Sequence, residues 1–337
     1  MKRICALVLC VFALNACNQS DPDIDKEEVI DEVEEVEEEE EEEVPTSEPI
    51  TTNIRAFMFG HSLMVHEPPA IATPSNETTI PHWIHFLSDA AGYDFAANGQ
   101  YGFLPQHQNT PPISQWGFDH VNSAWDSDLS TFDQANFNTI LLTAGNFIQY
   151  QPATENYYGE NFTPVDVTAN IVNWCLGQEE QMTIYIYENW PDMASFLHND
   201  FPPNASEFEA YNDYTRGEFH QWWLDYQDRV REAVPNGDVK MIPVGPILAK
   251  LLTDINALSS ISMTELYEDD APHGRPTIYF LASLVTYMSI YGTPAPAKFV
   301  VPITVHENVR DNYEVIVSFI WTELEAFDFD DGSSRIW

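Results

Sequence analysis

From Asn53 to Tyr291 the chain alternates short apolar runs with longer segments whose apolar residues return at helical spacing. Such alternation favours βαβ units, and hence a parallel sheet covered by helices on both faces. The pattern predicts strands at Asn53–Phe59, Tyr93–Ala97, Asn138–Thr143, Thr183–Tyr187 and Val239–Val244. It predicts helices over Pro81–Ala91, Val165–Leu176, Glu207–Ala233, Ile247–Ala257, Thr277–Tyr291 and Tyr313–Glu325. The expected fold is therefore three-layer α/β/α around a central five-stranded parallel sheet. The 287 residues from Thr51 to Trp337 suffice for one sizeable core, so residues 51–337 are expected to form a single domain.

What precedes that domain has a different character. Lys2 and Arg3 open an export-type leader, and Ile4–Leu14 is apolar but too short for a stable membrane span. The stretch Leu14-Asn15-Ala16-Cys17 resembles a bacterial lipobox. Residues 1–16 then read as a signal peptide and Cys17 as the lipid-bearing first residue of the mature chain. Lipid there anchors a protein without a transmembrane helix. With Asn18 after the cysteine, the expected location is the bacterial outer membrane or cell surface. From Asp21 to Glu48 there are 17 acidic residues against Lys26 alone. Such a block repels itself and buries too little to order, so residues 17–50 are expected to be a tether.

The rest of the chain stays acidic, with 37 Asp and Glu against 10 Lys and Arg from Thr51 onward. That balance argues against nucleic acid and most polyanionic partners. Of four cysteines only Cys175 falls inside the domain, on an apolar helix face where packing is the expected role.

Two motifs carry chemistry. Gly60-His61-Ser62-Leu63 ends the first strand, and Asp270-Ala271-Pro272-His273 precedes the penultimate long helix. Together they supply a nucleophile, a base and an orienting carboxylate. The α/β-hydrolase elbow requires glycine two residues after the serine, where Met64 stands.

In order and placement these motifs resemble the SGNH (GDSL) hydrolase family, over residues 53–292. Its four blocks would be Gly60-His61-Ser62-Leu63, a glycine within Asn98-Gly99-Gln100-Tyr101-Gly102, Thr143-Ala144-Gly145-Asn146-Phe147, and Asp270-Ala271-Pro272-His273. The resemblance implies a flavodoxin-like sheet and a serine esterase that needs no cofactor. It casts Ser62 as nucleophile, His273 as base and Asp270 as the residue holding the imidazole. The oxyanion would be held by the Ser62 amide, the Asn146 side chain and a glycine amide, Gly102 in preference to Gly99. Three positions depart from the family: His61 for Asp, Ala144 for Gly and Phe147 for Asp.

Further residues are expected to meet substrate: His61 beside the nucleophile, His66 with Glu67 on the following loop, and Glu188 and Trp190 after the fourth strand. Trp116, Trp125, Trp222 and Trp223 read equally well as sugar platforms or core. His82 and His85, three apart on a helix beside Trp83 and Phe86, read as packing, and no metal is expected. The substrate class implied is an esterified small molecule or glycan, with acetyl as the expected acyl group. A lipase or thioesterase, or a binding protein that has lost turnover, are the alternatives; the pattern is silent on oligomeric state.

Overall fold

A computed structural model describes residues 47–337 except Asn146, Phe147 and Gln149. The leader, Cys17 and most of the acidic block lie outside the described residues. Residues before Thr51 also meet the domain: Ile50 N donates to Tyr291 O and Ser47 Oγ to Gly292 O.

The strands are β1 (Asn53–Gly60), β2 (Asp94–Tyr101), β3 (Thr139–Leu142), β4 (Thr183–Tyr187) and β5 (Val239–Ile242). All pair in parallel, in the order β2-β1-β3-β4-β5. Helices fill the connections: α1 (Ile80–Ala91), α2 (Leu104–His107), α3 (Pro164–Leu176), α4 (Ala205–Tyr214), α5 (His220–Ala233), α6 (Val244–Asp254), α7 (Asn256–Ser259) and α8 (Met263–Leu266). They continue with α9 (Pro276–Tyr291), α10 (Glu307–Asp311) and α11 (Tyr313–Glu325).

Two apolar cores explain the layering. Met58, Leu141 and Tyr185 point to one face of the sheet, where α1, α6, α9 and α11 pack. Phe57, Phe59, Ile140 and Ile184 point to the other, against α3 and α5. The period-two alternation along each strand sorts its residues between these cores. With helices on both faces, the interior strands show almost unbroken burial, as the apolar runs require.

Several boundaries differ from the sequence pattern, three of them for evident physical reasons. β2 runs four residues further, to Tyr101, because it follows β1 to its end at Gly60. β5 stops at Ile242: Pro243 has no amide to offer a ladder, and α6 starts at Val244. The long segment Glu207–Ala233 is broken by a wide turn at Thr215–Phe219, where Gly217 takes a non-helical φ of −107° and ψ of −105°. At the edge of the sheet the tail covers β5, with Met241 N donating to Arg335 O and Arg335 paired to Asp228. An edge strand is thereby shielded from further pairing.

In this strand order the chain reverses direction across the sheet between β1 and β3. Ligands of open α/β sheets sit in the crevice beyond the carboxyl ends of the strands at such a switch point.

Candidate active site

Ser62 follows the end of β1 in a tight turn, closed by Met64 N and Val65 N donating to His61 O. The turn's own hydrogen bonds leave the Ser62 amide out. A side chain at Gly60 would meet Met64 Sδ at 2.5 Å, so the Met64 side chain would have to move to admit one. From the other side, Tyr279 on α9 donates its hydroxyl to Ser62 O at 2.5 Å.

The residue facing Ser62 comes from the loop before α9. His273 Nε2 lies 2.8 Å from Ser62 Oγ. His273 Nδ1 lies 2.7 Å from Asp269 Oδ2, and the His273 amide donates to Asp269 Oδ1 at 3.0 Å. A carboxylate only accepts, so Nδ1 carries the proton and Nε2 is left to accept from the serine hydroxyl. Partial burial pushes the Asp269 carboxyl up, but the bonds from the His273 ring and amide, with the charges of His273 and His66, leave it below the ordinary carboxylate range.

The carboxylate is Asp269, not Asp270. The loop is pinched by an antiparallel bridge between Tyr267 and Gly274 and by Glu268 N donating to His273 O. That pairing turns Asp269 inward across the loop and Asp270 outward. Asp270 instead offers its main-chain carbonyl to Met193 N at 2.9 Å.

His66 lies against this assembly. Its ring stacks on His273 with centroids 4.2 Å apart and planes 12° from parallel, and its Nε2 meets Glu268 Oε2 at 3.0 Å. Glu268 Oε2 also accepts from Ala70 N, which fixes the loop after His66. Beside Ser62 opens a cleft of about 310 Å³, walled by His66, Glu67, Asn76, Tyr101, Gln115 and Trp116 among others. Trp116, which the sequence leaves open between sugar platform and core, reaches this cleft, whereas Gln115 and Asn76 are not separable from ordinary loop residues by pattern. Trp116 also borders a second hollow of about 430 Å³ with Ser114, Ser123, Asp126 and Ser127.

Other expected contacts are placed elsewhere. His61 is 1% exposed and fully used in holding strands together. Its Nε2 donates to Ala144 O at 2.8 Å and its Nδ1 accepts from Leu63 N at 3.3 Å. Asn189 Nδ2 donates to the same Ala144 O and to Thr143 Oγ1, whose hydroxyl reaches Tyr187 O. The ends of β1, β3 and β4 are thus tied by one network. Burial, partly opposed by the Ala144 bond, lowers the His61 pKa to about 4, so the ring stays neutral.

Glu188 is wholly buried and accepts from His220 Nδ1 at 2.9 Å, with burial raising its pKa to about 6 against the pull of His220. Trp190 is 1% exposed, packs on Tyr279, and donates Nε1 to Pro272 O at 2.9 Å. It supports the His273 loop from beneath and offers no face to a sugar. Gly102 is no free donor either: its amide gives its hydrogen bond to Gly60 O at 2.9 Å. Gly99 sits inside β2, where a side chain would meet Met58 O at 2.5 Å. Asn146 lies outside the described residues. His82 is buried edge-on to Trp83 and Phe86, as its apolar surroundings imply. Cys175, Trp125 and Trp223 are core residues.

Hydroxyl, imidazole and carboxylate in series, at a sheet edge and beside an open cleft, form an arrangement able to activate an oxygen nucleophile. No protein-family model matches the chain, and no curated protein is similar to it in sequence. Solved structures similar to it include a DUF4886 family protein from Bacteroides uniformis, 12% identical over 84% of this chain and 98% of that one, with a TM-score of 0.47. A family 3 carbohydrate esterase from Clostridium thermocellum is 13% identical, covering 70% of this chain and 94% of that one, with a TM-score of 0.38. A carbohydrate esterase family 2 enzyme of Corynascus, which carries a carbohydrate-binding domain, is 12% identical over 73% of this chain and 68% of that one, with a TM-score of 0.34.

Proposed function

We propose that the chain is a serine esterase of the SGNH type, removing short acyl groups from a carbohydrate. The observation that carries this reading is Ser62 Oγ at 2.8 Å from an imidazole whose far nitrogen is held by Asp269. His273 Nε2 takes the serine proton as Oγ attacks the ester carbonyl, and Asp269 stabilises the imidazolium. The same proton then passes to the leaving alcohol, and water, activated in turn by His273, releases the acid from the acyl-serine. The Ser62 amide is the first oxyanion donor, with the Asn146 side chain as the second. Each such donor contributes on the order of 2.7–4 kcal/mol to the transition state.

A carbohydrate is favoured by the cleft. Its walls mix polar side chains with aromatic ones, and Trp116 stands between two hollows where a ring can stack. Lipid on Cys17 and the acidic tether would then present the enzyme at the cell surface. One feature favours a second reading, a lipase or thioesterase. An apolar hollow of about 250 Å³, lined by Phe103, Leu104, Pro105, Ile148 and Tyr157, lies next to Gly145 at the end of β3.

Ser62→Ala is expected to abolish hydrolysis of p-nitrophenyl acetate and labelling by a fluorophosphonate probe, with the circular dichroism spectrum unchanged. Full activity in that variant would sink the assignment, and absent labelling of the wild type would identify a binding protein. A series of p-nitrophenyl esters of rising chain length separates the two catalytic readings, since an acetylesterase loses kcat/KM as the chain grows.

A further inference from the structure

One face of the His273 imidazole lies against a second imidazole, that of His66, with centroids 4.2 Å apart and planes 12° from parallel. We propose that His66 is a positioning residue, whose ring holds the plane of the His273 ring through both halves of the reaction. This role rests on the esterase reading.

The need for it follows from how His273 is held. Its ring meets Asp269 through Nδ1 at 2.7 Å and Ser62 through Nε2 at 2.8 Å, both at the ring's edge. Contacts at two edge atoms leave the ring free to rock about the line that joins them, which tilts the lone pair of Nε2 away from its target. A parallel ring pressed on the face resists that motion. The need grows once Ser62 Oγ carries the acyl group, because it then has no proton to offer Nε2. Asp269 and the stack are what still fix the ring while Nε2 takes a proton from the attacking water. Misplacing a reacting group by about 1 Å costs on the order of 10²-fold in rate.

His66 is itself held on two sides. Its main chain is fixed by Thr78, with His66 N donating to Thr78 O and Thr78 Oγ1 donating to His66 O. Its ring donates from Nε2 to Glu268 Oε2 at 3.0 Å, an oxygen that also accepts from Ala70 N. Glu268 belongs to the His273 loop, and its amide donates to His273 O at 2.8 Å. The neighbours Glu268 and Asp269 thus each hold one ring of the stacked pair. Histidine suits both duties, since its edge donates to the carboxylate while its face meets His273. Phenylalanine has the face without the donor, and glutamine the donor without the face. The His66 side chain is 15% exposed and walls the cleft, so direct contact with substrate is the rival role.

The test compares variants in hydrolysis of p-nitrophenyl acetate and in the rate of fluorophosphonate labelling, which needs His273 but no glycan contact. His66→Ala is expected to lower kcat and the labelling rate by about ten- to a hundredfold, with KM not raised. The double variant His66→Phe, Glu268→Gln restores the face without leaving a carboxylate unpaired, and should recover most of the loss. His66→Gln, which keeps the donor, should recover little. Thermal unfolding checks that each variant folds, and the contrast between Phe and Gln decides if Ala does not. Recovery by Gln and not by Phe overturns the stack in favour of the tie to Glu268. A raised KM with kcat and labelling unchanged makes His66 a substrate contact and overturns the proposal, as do unchanged kinetics in folded His66→Ala.

NMR relaxation of the His273 ring carbons in the Ser62→Ala protein reads the same effect without turnover. A rigid ring is expected with His66 in place and a rocking one after His66→Ala. Equal rigidity in both overturns the positioning role alone, whereas absent labelling of the wild type overturns the esterase reading.

Discussion

Asp269 and Asp270 carry the same carboxylate, yet only the first reaches His273, because the pinch between Tyr267 and Gly274 decides which side chain faces across the loop. Spacing could not choose between neighbours one residue apart, and the family-like interval of three pointed to the wrong one. Asp269→Asn is expected to lower kcat of ester hydrolysis by about 10³–10⁴-fold, as loss of the acceptor allows the unproductive tautomer. Asp270→Asn is expected to change it less than about threefold, since its main-chain carbonyl makes the contact to Met193. Steady-state kinetics of the two variants decide the matter, and equal losses would refute the assignment. His61, the residue that departs from the family's aspartate, has an explanation in the same terms. A buried neutral ring can both accept from Leu63 N and donate to Ala144 O, which a carboxylate cannot.

Among elements, α9 does more than cover the sheet. It is buried along nearly its whole length, and its Tyr279 hydroxyl fixes the Ser62 carbonyl while its ring supports Trp190. Tyr279→Phe should therefore lower kcat about tenfold or more with KM nearly unchanged, and lower stability by about 1–3 kcal/mol in urea titrations. A wild-type kcat would show that the turn holds Ser62 unaided. The strands and long helices were legible because burial on both sheet faces writes itself as apolar runs, and helices as a stripe. The order in which the strands pair was not written there. Nor was the burial of Glu188 and Trp190: polar and aromatic residues at a strand end look alike whether a loop covers them or leaves them open. Here the His273 loop rests on Trp190 through Pro272 O, and His220 meets Glu188. The same ambiguity leaves Trp116 open between platform and core; its bridge to Gly99 at the edge of the sheet is what brings its loop to Ser62.

For the whole molecule, burial leaves His61, His82 and His107 with pKa values of about 4, well below the unfolded value. Between about pH 4 and 6.5 the unfolded chain binds more protons at these sites than the folded one, so stability falls as pH falls. The contribution is complete above the unfolded pKa and is lost as pH drops through the folded one, on the order of 1–3 kcal/mol for each ring. Glu188, raised to about 6, works in the opposite sense between its unfolded value and that pH, and offsets part of the loss. Urea midpoints measured from pH 7.5 to 4.5 are expected to decline. High salt is the right condition, because it screens the acidic surface whose self-repulsion acid would otherwise relieve. A midpoint that rises on acidification would mean that the histidines are hydrated in the folded state.

His273 and Asp269 belong to one short loop, closed on itself between Tyr267 and Gly274, while Ser62 belongs to another part of the chain. The bond between His273 and Asp269 is therefore independent of the contact with Ser62. A displacement of the loop would lengthen the gap to Ser62 without loosening the bond from His273 to Asp269, so the two side chains would leave and return together.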